Sequence, residues 1–377
     1  MKSRIIHHGS ISIWGLSESC PNFRFKEKLP NRIECSFGIC NIFDTYISQR
    51  NSQVYIIFSN ILGTSVYIYI YSVKNKNIYK KLSPCIHQKE LRMLKYFINK
   101  DKSKEYIISS DCEGVLGIWS ATNNFILHQR INVYSQKDIF NCLLLFKNEY
   151  GFNFNNIIDD YILFGCESTN EDDSTSVKLY SLTKGNLVKN IKDTNNEKIR
   201  DLLLWKNKKL DEYFLLCLAK DKIIMINFLN NFIEKEISTQ DRNMFNCGMI
   251  YDEINQEGNE LSYLLCTSST GHIIIIELYE GLVTCDIRLK HNIHRVYDIL
   301  PWSDNYIIFA DCLDNGILVY EFEEGGKIMG ISNINGLDED DIECIRKIKH
   351  PEYGDCLVTA SHKNCIKIFE LDSFELN

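Results

Sequence analysis

Apolar and polar positions alternate in short runs along the whole chain, and one such run recurs eight times. Each copy is an octet in which a turn residue leads into alternating apolar places: GSISIWGL (9–16), VYIYIYSV (66–73), GVLGIWSA (114–121), TSVKLYSL (175–182), DKIIMINF (221–228), GHIIIIEL (271–278), NGILVYEF (315–322) and NCIKIFEL (364–371). Period-two alternation of this length belongs to strands, whose successive side chains point to opposite faces. The sixth place carries a large anchor: Trp14, Tyr71, Trp119, Tyr180, Ile226, Ile276, Tyr320 and Phe369. These anchors recur roughly every 50 residues, a period that signals a circular or stacked array of one unit.

The order of events between octets is also repeated. Between 198 and 239 an apolar run (KIRDLLLW) is followed by a charged loop, a second run (YFLLCLA), the octet and an amphipathic segment (EKEIST). Four short strands with tight turns over about 45 residues make one propeller blade. The sequence therefore predicts an all-β fold, a seven-bladed β-propeller with four-stranded antiparallel blades, at about 32–84, 90–132, 138–193, 198–239, 245–289, 295–333 and 341–377. The last interval has no room for a fourth strand after Leu371. A strand from 1–31, drawn from Ser10–Leu16 or Phe23–Leu29, is expected to complete that blade, close the ring and cover its edges. The remainder of 1–31 is linker. Eight blades, one built largely from the N-terminal segment, is the alternative.

The octets and their hairpins resemble the WD-repeat β-propeller family in a divergent form. IHQKELRML (86–94) is similar to the family's Gly-His lead-in, and YIISSDCEGVLGIWS (106–120) to its central hairpin. The resemblance implies that His87, Ser109, Glu113 and Trp119 form a structural hydrogen-bond tetrad, with Glu113 in place of the usual Asp. Elsewhere the pattern departs: Ile226 and Ile276 replace the Trp, and no octet carries the Asp of Trp-Asp. His291 or His294 is the other candidate for a lead-in histidine.

Composition changes this picture in a few places. Apolar residues make up 45% of the chain and aromatics 12%, ample for a large core, while a net charge of −8 argues against a general nucleic-acid binder. The fifteen cysteines include no CxxC pair and no zinc-type spacing, so no metal or cofactor is expected. Cys35, Cys142, Cys247 and Cys344 share one place in the repeat, where a cysteine behaves as a small buried apolar residue. Reduced packing cysteines suggest a cytoplasmic or nuclear compartment. The N-terminus lacks the pattern of a signal peptide, and no run approaches the apolar length of a membrane-spanning helix.

Candidate chemistry lies in the innermost strand of each blade, within a φ-x-small-φ run. Its second place holds Glu34, Arg92, Asn141, Arg200, Asn246, Tyr297 and Glu343, all polar or amphipathic inside apolar segments. These seven are predicted to line a channel mouth, with Glu34 and Glu343 neighbours across the closure and able to hold a basic side chain. Asp201 and Asp298 replace the neighbouring small residue and are expected to bond backbone groups between blades. Asp338, Glu339, Asp340 and Asp341, the 171–173 acidic run, Asp111, Glu113, Asp311 and Asp314 make one face acidic, and lysine-rich tracts at 100–104 and 206–209 mark the other.

Catalytic constellations such as a nucleophile elbow, P-loop or two-His metal motif are missing from the sequence. The expected function is therefore a non-catalytic protein–protein interaction scaffold or adaptor, monomeric by itself, that binds a basic peptide or loop of an unidentified protein partner. A phosphoinositide-binding propeller is the alternative, although the paired arginines of that class are missing. A propeller enzyme with a pocket in the channel is the third reading.

Overall fold

The computed structural model describes residues 11–12, 22–27, 33–34, 42–99, 102–133, 139–149, 151–155, 157–167, 177–191, 199–220, 222–230, 232–238, 245–254, 258–288, 296–303, 305–311, 316–323, 327–334, 341–361 and 365–375. Among these residues the regular elements are all β-strands. Three short ones come first: β1 (Ile11–Ser12), β2 (Asn22–Glu27) and β3 (Ile33–Glu34).

Seven antiparallel meanders follow. Blade 1 holds β4 (Phe43–Ile47), β5 (Val54–Leu62), β6 (Ser65–Ser72) and β7 (Asn77–Lys81). Blade 2 holds β8 (Leu91–Ile98), β9 (Glu105–Asp111), β10 (Val115–Ser120) and β11 (Ile126–Asn132), and blade 3 holds β12 (Ile139–Phe146), β13 (Tyr161–Glu167), β14 (Val177–Ser181) and β15 (Leu187–Ile191). Blade 4 has β16 (Asp201–Asn207), β17 (Glu212–Leu218), β18 (Lys222–Asn227) and β19 (Ile233–Ser238). Blade 5 has β20 (Phe245–Ile254), β21 (Glu260–Ser268), β22 (His272–Glu277) and β23 (Leu282–Arg288), and blade 6 has β24 (Val296–Pro301), β25 (Tyr306–Asp311), β26 (Gly316–Glu323) and β27 (Lys327–Ile334). Blade 7 is built on β28 (Ile342–His350), β29 (Gly354–Ser361) and β30 (Cys365–Glu375).

Blade 7 is completed from the other end of the chain, because β2 lies beside β30 in its sheet and β3 also pairs with β30. The fold is thus a seven-bladed β-propeller of four-stranded blades, with an N-terminal strand finishing the C-terminal one. Of the two segments considered for that strand, Phe23–Leu29, which overlaps Asn22–Glu27, supplies it. The other contributes β1, which joins blade 5 as a parallel fifth strand (Ile11 opposite Ile287). Seven octets fall on the third strand of a blade.

Two compact units divide the chain: Phe25–Leu204 with Glu343–Asp372, and Trp205–Ile342 with Met1–Arg24 and Ser373–Asn377. In the first unit, apolar seams join consecutive blades. Phe43, Tyr71, Cys344, Val358 and Ile368 pack blade 7 on blade 1. Ile57, Ile70, Leu94 and Trp119 pack blade 1 on blade 2, and Ile108, Ile118, Phe164 and Tyr180 pack blade 2 on blade 3. In the second unit, Leu265, Ile275, Phe309 and Tyr320 form the seam between blades 5 and 6. The second strand β9 is buried at every residue because both faces are covered, whereas the outer strand β11 is exposed at alternate residues.

The octet's sixth place has a local cause for its large residue. In blades 1 to 5 the pairing of third and outer strands shifts register just before Tyr71, Trp119, Tyr180, Ile226 and Ile276. The extra residue of each bulge lies in the outer strand, at Tyr79, His128, Val188, Glu234 and Thr284, so it is the outer strand that bends opposite the anchor. All five anchors are buried.

His350, at the end of β28, shows how burial couples this fold to pH. Its ring stacks on Tyr353 at 4.5 Å and its Nδ1 accepts the Glu352 N–H at 3.1 Å. Burial holds the imidazole below the ordinary histidine value, with Glu352 opposing and Lys76 reinforcing that shift. As pH falls through about 6.5 the unfolded chain takes up a proton that the native imidazole still refuses, so the native state loses stability. Urea midpoints between pH 7.5 and 5 should therefore fall more steeply for the native chain than for His350→Gln, by at most one proton in the linkage slope. Equal slopes would remove His350 from the pH response.

Candidate functional site

The second place of the φ-x-small-φ run owes its exposure to another bulge. Register shifts fall between Leu91 and Met93, between Phe140 and Cys142, between Phe245 and Cys247, and between Val296 and Ile299. Arg92, Asn141, Asn246 and Tyr297 are therefore residues that the inner strand carries in excess of its neighbour's register. Leu91, Ile199, Phe245, Val296 and Ile342, which precede them, are buried. Arg92 is exposed, and Arg200, Asn246, Tyr297 and Glu343 are half-buried. Simple strand alternation was the expectation; at Arg92, Asn246 and Tyr297 a bulge interrupts it and re-aims the side chain. The side chain of Asn141 lies outside the described residues.

Glu34 requires correction. It pairs with Cys365 on the outer side of blade 7 and is not in an innermost strand. The innermost strand of blade 1 is β4, fixed by the tight β4–β5 hairpin in which Ser48 N–H donates to the Gln53 carbonyl at 3.0 Å. IECSFGI imitates the composition of FNCLLLF without its position. No inner Glu34–Glu343 pair forms, and Cys35 lies outside the described residues.

The true first strand brings in a residue that sequence reasoning missed. Asp44 of β4 accepts the Tyr96 backbone N–H of blade 2 at 2.8 Å through Oδ2, and Arg346 Nε of blade 7 at 3.3 Å through Oδ1. One carboxylate thus links the inner strands of three successive blades. Cysteines at the repeat position make comparable links. Cys142 Sγ donates to the Ile199 carbonyl at 3.9 Å, and Cys344 Sγ to the Phe43 carbonyl at 3.8 Å. In blade 5, Cys247 meets Thr267 Oγ1 at 3.1 Å, and Thr267 Oγ1 and Asn246 Nδ2 both donate to the Val296 carbonyl of blade 6. Asp201 and Asp298 each accept the N–H of the next residue, at 2.9 and 3.0 Å.

The predicted tetrad is partly assembled, with one substitution. His87 Nδ1 donates to Asp111 Oδ2 at 2.9 Å, and Nε2 shares a hydrogen bond with Ser109 Oγ at 2.6 Å. Asp111 also accepts the N–H groups of Glu113 (3.1 Å) and Val115 (2.9 Å), which its own turn at Gly114 (φ +78°) brings round to Oδ1. Asp111, and not Glu113, is therefore the acid of the network. The Glu113 side chain is 59% exposed beside Lys89 at 3.6 Å. Trp119 lies 6.0 Å from the His87 ring, and its buried indole N–H makes no hydrogen bond.

Serine, histidine and aspartate in this order have the connectivity of an acyl-transfer triad. At 0%, 1% and 1% exposure, however, the three are sealed from any substrate. Their chemistry is structural: they tie the lead-in at His87 to β9 and to the β9–β10 turn. Burial also removes Asp111 from the acidic face. A comparable pair in blade 5, His272 Nδ1 to Asp286 Oδ1 at 2.7 Å, ties β22 to β23 and was signalled only by a histidine at the octet's second place.

The acidic residues at 338–340, 171–173 and 314 and the lysine at 100 lie outside the described residues; Asp341 is half-buried. On the lysine-rich 206–209 tract, Lys206 pairs with Asp211 at 2.8 Å, Lys208 with Glu260 at 3.2 Å, and Lys209 lies over the Tyr279 ring at 4.0 Å. Among the described residues no group of three His, Cys, Asp or Glu could hold a metal ion. The chain matches no model of a known protein family, and no curated protein matches it.

Proposed function

We propose that this protein is a non-catalytic interaction scaffold of divergent WD-repeat type, an adaptor subunit that binds a basic peptide or loop of a protein partner. The observation that carries this reading is the recurrent bulge. At Arg92, Asn246 and Tyr297 an extra polar or amphipathic residue follows a buried apolar one at a bulge of the inner strand, in a framework locked by apolar seams. A preorganised surface of this kind loses little entropy on binding. Glu343 and the acidic run from Asp338 to Asp341 supply the negative charge that would meet a basic partner. The cysteines among the described residues are free thiols, in keeping with a reducing compartment.

Affinity purification from native cells, followed by binding measurements with the recovered partner, tests the proposal. The quadruple reversal D338K/E339K/D340K/D341K is expected to weaken that binding at least tenfold and to abolish its salt dependence. Undiminished binding, or turnover of a substrate by the purified chain, would sink the reading.

A further inference from the structure

Blades 1 and 2 leave a cleft of about 370 Å³ at their outer strands, lined by Lys80 and Pro84 on one side and by Phe125, Ile126 and Leu127 on the other. Its surroundings are apolar and open to solvent: Ile126 is 55% exposed and Tyr79 51%. Tyr79 meets Phe125 edge-on at 6.2 Å across the two blades. The β10–β11 turn holds two successive residues in the left-handed region, Asn124 (φ +53°) and Phe125 (φ +59°). The corresponding turns of blades 3 and 5 have glycine there, Gly185 and Gly281. A phenylalanine is disfavoured in that conformation, yet here it forms part of the cleft wall.

Charge sets this place apart from the rest of the chain. From Thr45 to Lys89 the sequence contains no Asp or Glu, but does contain Arg50, Lys74, Lys76, Lys80, Lys81 and Lys89. From Gly114 to Lys137 there is again no acid, while Arg130 and Lys137 are present. Both walls of the cleft therefore come from acid-free segments of a protein whose net charge is −8. Lys76 approaches Glu352 of blade 7 at 3.9 Å and Lys81 sits over the Tyr67 ring at 3.4 Å, both on the face of blade 1 turned towards blade 7, so Lys80 is the cation in the cleft wall.

We propose that this cleft docks an acidic linear segment of a partner protein. A large aliphatic or aromatic side chain enters between Pro84 and Phe125, and a flanking carboxylate meets Lys80. The recess is at the small end of the range that encloses a ligand, a size suited to one or two side chains. A bilayer surface instead favours protruding apolar tips. Complementary charge around an apolar anchor gives both fast encounter and selectivity. The site uses outer strands and takes a partner of opposite charge to the one proposed above, so it stands apart from the inner-strand reading.

Panning a displayed library of random nonapeptides against the full chain tests this directly. Enrichment of Asp and Glu around a Leu, Ile or Phe is expected, and the selected peptide, followed by fluorescence anisotropy, should lose at least tenfold in affinity with K80E and again with I126S. Both variants alter solvent-accessible residues, and unchanged urea midpoints would show that they fold. Selection without acidic enrichment, or binding indifferent to both variants, overturns the proposal. So does a result in which phosphatidylserine vesicles bind through these residues and no peptide is selected. The partner recovered through residues 338–341 should bind the cleft variants normally, so failure of one proposal is distinguishable from failure of the other.

Discussion

Replacing Asp111 with Ala is expected to cost about 3–5 kcal/mol, the range for breaking a buried charged network by removing one partner. The carboxylate is 1% exposed and serves three donors: the His87 ring and the N–H groups of Glu113 and Val115. Its loss leaves each of them buried or half-buried with its partner gone, at about 1–3 kcal/mol for each unsatisfied group. Asp111→Asn keeps one acceptor and should lose less. Glu113→Ala should change stability by no more than about 0.5 kcal/mol, because its side chain is exposed and its approach to Lys89 is a surface contact. Urea denaturation of the three variants decides between the two acids. A larger loss for Glu113→Ala than for Asp111→Ala would contradict the network.

Gly117→Ala should be destabilising by about 2–3 kcal/mol although it adds only a methyl group to a strand, where Ala is normally the better residue. An added Cβ would lie under 3.0 Å from the Trp119 ring and from Ile86, in the seam between blades 1 and 2. The Trp119 indole lies over the glycine two residues earlier and both residues are buried, so neither group has room to yield. Trp119→Phe shortens the ring. The double variant G117A/W119F should therefore cost less than the sum of its parts, as expected for residues in contact. Strict additivity in a double-mutant cycle would mean that the clash is relieved elsewhere.

Much of the architecture is legible in the sequence because buried strands need period-two patterning, and seven octets occupy the third strand of a blade. Register is less legible, for identifiable reasons. IECSFGI and FNCLLLF have the same local composition, and only the β4–β5 hairpin distinguishes an inner strand from a closing one. That ambiguity misplaced Glu34 and hid Asp44, whose importance depends on two strands that are distant in sequence. In SSDCEG the two acids are two residues apart, and the left-handed turn at Gly114 determines which one enters the network. The polar second places were visible as a pattern, but the bulge at Arg92, Asn246 and Tyr297 emerges only from the pairing.

The closing of blade 7 bears on how the chain comes to be folded. Strand β2 leaves the ribosome about 340 residues before β30, its neighbour in the sheet, which at usual synthesis rates is an interval of roughly 20–70 s. Blade 1 meets the same delay on its inner side, where Asp44 awaits Arg346, 302 residues further on. Local meanders can form during translation, but the long-range pairings must come last and slowly. A nascent chain would thus carry open strand edges at its early blades for most of its synthesis, making that period its greatest exposure to misassociation and its greatest need for chaperones.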